Sequence, residues 1–378
     1  MAVDLLDPAT MQDRDWPAGS EAVRAFVEAI YRHGSERFAS NVRTRAMVLR
    51  DGNVALPVTV NETEYENSYV CSNLTYSQYM RDELKLIGSP AIQAAMARVL
   101  DGAGAVMRQA QLNKVAQVNN WLAATNPYPA DWSPNLASIT DALVAAFPDH
   151  YISFRSLNEW ANQATLKKLK ASDYKLAAFR QIYVYDRLPE TYLTRHQVKM
   201  DHKLLRGTKY HVVNNDEFTE SDYPRMAEIY GMLYLEKHSI FNPAFTADYM
   251  RLCHRSGIMR FLGLRHPSGR LDGMVGILAI GRTIPVPSIV GYDTSLDRHI
   301  GLYRMIITLI FKTAMSEGWN VNLSSGAAEF KRKRGGQPVI EYSALYDRHL
   351  SRPRQFVLSA LAASVNIIGV PLMRRFKV

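Results

Sequence analysis

Two short stretches in the last third of the chain carry residue types that could do chemistry together. The first is Arg298-His299-Ile300-Gly301. A glycine opening a helix lets backbone N–H groups approach an anion, and the helix dipole favours negative charge there. An arginine just before it adds a charge-assisted donor. That chemistry is phosphate binding, and Arg298, Gly301 and Tyr303 are expected to line it. The second stretch is Phe330-Lys331-Arg332-Lys333-Arg334. A ring beside four cations suits contact with phosphate and base together. Phe330, Arg332 and Arg334 are therefore expected to touch a phosphate-bearing ligand, with Lys331 beside them. Tyr292 and Asp293 precede the first stretch. Asp293 is the nearest acid able to act as a base. A loop aspartate before a helix is as often a cap. His238 and Glu236 rank behind it as bases, since either could cap a helix end. Farther back, a tyrosine- and asparagine-rich segment offers Tyr69, Asn73 and Tyr79 as acceptor-binding side chains. No His/Cys cluster has metal-ligand spacing, so no metal site is expected. A Walker loop and a Gly-x-Ser-x-Gly elbow are both absent.

The elements that must hold these residues follow from hydrophobic period. Ser288–Tyr292 is a short β-branched run, hence a strand. From Gly301 to Ser316, Leu302, Met305, Ile306, Leu309 and Ile310 recur at helical spacing, and Gly318 stops the helix. Asn320–Leu323 and Val339–Tyr346 read as strands around the short basic helix. Upstream, Lys209–Val213 is a strand, Phe218–Lys237 and Phe245–His254 are helices, and Ile258–Arg265 with Leu271–Ile280 forms a hairpin.

This order resembles the GNAT acyltransferase superfamily from roughly Lys209 to Asp347. In that family an Arg/Gln-x-x-Gly-x-Gly/Ala loop follows the fourth strand. Here Arg298 and Gly301 match it, and Tyr303 stands where the second small residue belongs. Ser324 and Ala327 fall where the family carries Asn-x-x-Ala. Lys331 takes the place of the tyrosine that usually protonates the departing thiolate. The Phe330-Lys331 pair is similar to that of the Fem-type aminoacyl-tRNA transferases, which also use this fold. The resemblance implies an N-acyltransferase acting on a small-molecule amine, with no tightly bound cofactor. Its co-substrate would be an acyl thioester on coenzyme A or a carrier protein, or an aminoacyl-tRNA. Donor contacts would come from Arg298, Gly301, Tyr303, Ser324, Phe330, Arg332 and Arg334, with Lys331 offsetting charge on the leaving group, backbone near Gly291–Tyr292 meeting the acyl carbonyl oxygen and Asp293 taking the amine's proton. The absent tyrosine acid and Tyr303 in the loop motivate a second reading, a non-catalytic module that binds RNA or a membrane.

An internal repeat extends the picture. Tyr151–Asp186 runs strand, Asn158-x-x-Ala161, basic helix, then a strand ending Tyr185-Asp186-Arg187. Val321–Leu350 runs strand, Ser324-x-x-Ala327, basic helix, then a strand ending Tyr346-Asp347-Arg348. The expected fold is α/β with mixed sheets: two tandem GNAT-like domains, residues 1–205 with a helical insertion and 206–350, then a helix over 351–378. Residues 1–20 read as a loose leader without a signal peptide, Asn41–Val60 as a hairpin on Asp51-Gly52, and Pro90–Ala124 as helix interrupted near Gly102 and Gly104. A basic helix over Tyr192–Arg206 joins the halves.

At 378 residues the chain can hold two domains, and its net charge is +9. From Glu329 onward ten basic residues stand against three acids, which favours a polyanionic partner: RNA (a tRNA included), a pyrophosphate cofactor, an acidic carrier protein or a membrane surface. Two distant cysteines suit a reducing cytoplasm. Phe356–Met373 is apolar with arginines at both ends and is expected to pack on the protein rather than to associate with a membrane.

Overall fold

Residues 3–84, 89–281 and 283–376 are described by the structure, a computed structural model. The chain opens with β1 (Val3–Leu6), α1 (Glu21–His33) and the hairpin of β2 (Arg45–Asp51) and β3 (Val54–Asn61). Then follow α2 (Asn73–Glu83), α3 (Pro90–Gln109), β4 (Val115–Val118), α4 (Leu136–Ala146), β5 (Tyr151–Asn158), α5 (Gln163–Ala171) and β6 (Lys175–Tyr185). Two helices, α6 (Leu188–Thr191) and α7 (His196–Arg206), lead to β7 (His211–Val213), α8 (Asp222–Gly231), α9 (Ala247–Arg255), β8 (Met259–Arg265), β9 (Leu271–Leu278) and β10 (Val286–Tyr292). The last part holds α10 (Leu302–Glu317), β11 (Val321–Asn322), α11 (Ala328–Lys333), β12 (Gln337–Tyr346), α12 (Arg352–Ser364) and α13 (Val370–Phe376).

The strands form two sheets, β1-β2-β3-β4-β5-β12-β6-β11 and β10-β9-β8-β7. The order shows how the repeated halves combine. Each half ends in a strand–helix–strand unit, β5-α5-β6 and β11-α11-β12. The final strands change places: β12 pairs antiparallel with β5, and β6 pairs antiparallel with β11. At the centre β6 and β12 run antiparallel side by side. The outcome is a mixed α/β fold in which strands of the two halves complete one eight-stranded sheet.

A shared core reinforces this. Val23, Phe26 and Val27 of α1 lie in one apolar cluster with Tyr223 and Met226 of α8 and Tyr249 and Met250 of α9. The helical period of α1 puts Val23, Phe26, Val27 and Ile30 on one face, which is buried.

Several expectations are corrected. The leader is not loose: Val3–Leu6 pairs with β2 in register Val3↔Asp51 to Leu6↔Val48. The helix expected over Pro90–Ala124 ends at Gln109, and Val115–Val118 is a strand parallel to β5. Its run Val-Ala-Gln-Val is buried on both faces, so it shows no alternation to betray it. Gly102 and Gly104 do not break α3. The expected helix over Phe218–Lys237 is α8 continued by a π turn, Met232–Glu236. The helix between halves begins at His196, after the separate turn α6.

Candidate active site

In the second half β10 and β11 belong to different sheets and separate, bridged by Asn322 N donating to the Pro285 carbonyl at 3.3 Å. A cavity of about 550 Å³ occupies the gap. Local sequence keeps it open. β11 is only two residues long, and Ser324, Gly326 and Ala327 all take the left-handed conformation, turning the chain sharply into α11. On the opposite wall the β9–β10 register slips between Pro287 and Ile289, leaving Ser288 as the extra residue of a bulge. A bulge takes backbone groups out of the ladder and re-aims side chains. Gly291 faces away from the gap. A Cβ there would meet the Tyr230 backbone nitrogen of α8 at 2.9 Å, so the glycine lets that helix close on the strand.

Lys331 of α11 lines the cavity and is buried (3% exposed). Its ammonium donates to the carbonyls of Leu323 (2.7 Å), Ser324 (3.2 Å) and Ser325 (2.7 Å). Burial pushes its pKa down to about 7, helped by the Arg180 guanidinium. The three carbonyls pull the other way, because they favour the ammonium. Phe330 also lines the gap, its ring 4.9 Å from that of Tyr303. Tyr292 and Ser324 complete the expected residues on these walls, and the Ser324 hydroxyl lies 2.9 Å from that of Thr125.

The opposite walls come from the other half. Tyr69 and Tyr79 are in the lining, with ring centroids 5.0 Å apart. Asn73 opens α2, and its side chain lies outside the described residues. Arg180, on the exchanged strand β6, also reaches the cavity. Its Nε donates to Glu341 Oε1 at 2.8 Å, and its Nη2 to the Ala124 carbonyl at 2.8 Å and the Thr125 hydroxyl. Arg180 and Glu341 face each other directly across β6 and β12, so the ion pair holds the register of the exchange. Arg180 is not among the residues expected from the sequence, although an arginine inside the apolar run Leu-Ala-Ala-Phe-Arg-Gln-Ile is itself a signal of a partnered buried charge. The π turn after α8 supplies Leu233 and Tyr234, with Lys237 and His238 just beyond it. Such turns recur at functional sites, and a regular α-helix would aim these side chains differently. Tyr230 and Tyr234 stack at 4.7 Å. Burial raises the Tyr234 and Tyr303 phenols, which keeps them protonated as donors.

Other expected residues lie elsewhere. Arg298 is exposed on the 3₁₀ turn Arg298–Ile300 and is absent from the lining. Gly301 has φ 76°, and a Cβ there would come within 2.7 Å of Leu204 of α7. Asp293 is buried beside β10 but is also absent from the lining. It accepts from Arg225 Nη2 at 2.6 Å, Ser295 N at 3.0 Å and Ser295 Oγ at 2.5 Å. Burial alone would push its carboxyl up, but the bonds from Ser295 and Arg225 outweigh it and the net shift is down. Most of the cationic stretch turns inward, Lys333 staying on the surface. Arg334 stacks on Phe330 at 3.4 Å and donates to Asp201 Oδ2 at 2.6 Å. Arg332 donates to the Tyr183 hydroxyl at 3.0 Å, and Lys333 pairs with Glu329 at 2.6 Å. Asp201 also takes Arg304 Nε at 2.6 Å, so one buried carboxylate ties α7, α10 and α11 together.

No family model matches the chain, and no curated protein matches it. Solved structures do. L-PGS from Bacillus licheniformis shares 15% identity over 60% of this chain and 77% of its own, with TM-score 0.43. A GCN5-related N-acetyltransferase from Kribbella flavida shares 17% over 62% and 82%, with TM-score 0.36. A conserved protein from Enterococcus faecalis V583 shares 8% over 91% and 72%, with TM-score 0.32.

Proposed function

We propose that this chain is an N-acyltransferase that moves an acyl group from a thioester donor, on coenzyme A or a carrier protein, to a small amine. The observation that carries the reading is the cavity between the separated strands β10 and β11, with Lys331 and Arg180 in its walls. The amine nitrogen attacks the thioester carbonyl carbon, the new C–N bond forms, and the C–S bond breaks to release a thiolate. Negative charge develops first on the carbonyl oxygen and then on the sulfur. The bulge at Ser288 offers backbone N–H groups for the first. The Lys331 ammonium, held on its three carbonyls, offsets the second without giving up a proton. The acceptor sits against the tyrosine wall of the first half. Its proton passes to His238, the histidine in the lining, since Asp293 is spent on Arg225 and Ser295.

The inward pairing of Arg332 and Arg334 supports the thioester over an aminoacyl-tRNA, because these two cations already have protein partners. The aminoacyl-tRNA reading keeps one specific support, the Phe330-Lys331 pair at the cavity. The test offers acyl-coenzyme A, acyl-carrier and aminoacyl-tRNA donors with a panel of amines and detects amides by mass spectrometry. Amide from thioesters alone is the expected result. Amide from aminoacyl-tRNA alone would replace the donor. No amide from any donor, with ligand still bound, would favour a binding module.

A further inference from the structure

We propose that the C-terminal helix and the groove beside it form a docking surface for an anionic lipid bilayer. The helix spans Arg352–Arg374 and is long and apolar enough to cross a membrane by length and composition, yet only 11% of its apolar stretch is buried. One face is fixed to the protein. Leu358 and Ala362 are buried against Met107 of α3 and Leu345 of β12. The Asn366 side chain accepts from Ala178 N at 2.9 Å and donates to the Leu176 carbonyl at 2.7 Å. Arg354 donates to the carbonyls of Ala110 (2.9 Å) and Asp149 (2.7 Å). The helix therefore covers the part of β6 that β11 is too short to reach, and lifting it off would strip those bonds. This favours a helix lying in the interface over one that spans.

The outer face has no partner in the fold. Phe356 and Ile367 are each 73% exposed, Ile368 61% and Leu372 45%. Between Arg354 and Arg374 there is no charged residue. Charge lies at the rim instead. Arg352 and Arg374 are exposed at the two ends. Along the side, Lys167 and Lys170 of α5 line a groove with Asn366 and Val370. Glu159 is the acid in that groove, and it also lines the neighbouring cleft with Arg374. An apolar strip bordered by cations matches an acyl layer beneath anionic headgroups. A second copy fits less well, since self-complementary pairing would set these cationic rims against each other.

The test floats the full chain with vesicles of phosphatidylcholine alone or mixed with phosphatidylserine. The protein is expected to rise with the mixed vesicles only, and high salt is expected to release most of it. Ile367→Glu with Ile368→Glu should lower the bound fraction about tenfold. Lys167→Glu with Lys170→Glu should move release to lower salt. Both pairs are solvent-facing, so thermal unfolding should match the parent and acyl transfer from soluble donors should persist. Parent protein that stays down with both vesicle types would overturn the proposal, as would equal flotation of the Ile367→Glu/Ile368→Glu variant. A dimer in light scattering that this variant abolishes would assign the face to a second copy and overturn it too.

Discussion

Lys331 is an ionisable amine with little water around it, so its protonation is coupled to folding. Its folded pKa, about 7, lies below the ordinary 10.5. Between these values the unfolded chain holds a proton that the folded chain does not, so stability rises with pH across that window. Denaturant titrations from pH 7 to 10 should show the parent gaining stability relative to Lys331→Met, and parallel curves would refute the shift. In kinetics, Lys331→Met should cost on the order of 10²-fold in kcat, the scale of losing one preorganised charge stabiliser. His238→Gln should lower kcat by about 10²-fold or more while donor KM holds, the pattern of a lost general base. An unchanged kcat would remove His238 from the reaction.

Among the elements, the exchanged strand pair and the turn before α10 make separable predictions. Glu341 is buried, and Arg180 is its ion-pair partner. Removing one partner of a buried pair costs roughly 3–5 kcal/mol, while replacing both with apolar residues can be neutral. Arg180→Met should therefore destabilise strongly, and Arg180→Met with Glu341→Leu should recover stability but not acyl transfer. Recovery of both would make Arg180 purely structural. At the turn, Gly301→Ala meets both a left-handed φ and Leu204, so a loss of about 1–2 kcal/mol in thermal or chemical unfolding is expected. Arg298→Ala should leave unfolding unchanged, because the side chain is exposed, and raise donor KM about tenfold if it binds donor phosphate. The strand, loop and helix around these residues were legible because each has a strong period and glycine punctuation. β4 was not, because four buried residues after a long helix carry no alternation.

For the whole molecule, the exchange means that the eight-stranded sheet is completed only with strands from both halves. A chain ending near residue 205 would leave β5 without β12, and one starting there would leave β11 without β6. The core shared by α1, α8 and α9 would open as well. Each fragment alone should give weak circular dichroism and aggregate, whereas co-expression should yield a soluble complex with the parent spectrum. A fragment that folds alone would show that its last strand can close back on its own half.

The sequence by itself determined the local units: the strand–helix–strand repeat, the turn at Gly301, and a cationic stretch beside Phe330. Periodicity and turn chemistry act between neighbours, so they can be read along a line. The tertiary structure decided which partner each strand takes and which way each cation faces. An unexchanged and an exchanged pairing of β6 and β12 satisfy the same sequence pattern. The choice depends on contacts far apart in sequence, such as Arg180 with Glu341, Asp201 with Arg334, and α1 with α8. For the same reason Lys331 and Arg180, 151 positions apart in numbering, share one cavity, while Arg332 and Arg334, beside Lys331 in the chain, turn away to Tyr183 and Asp201.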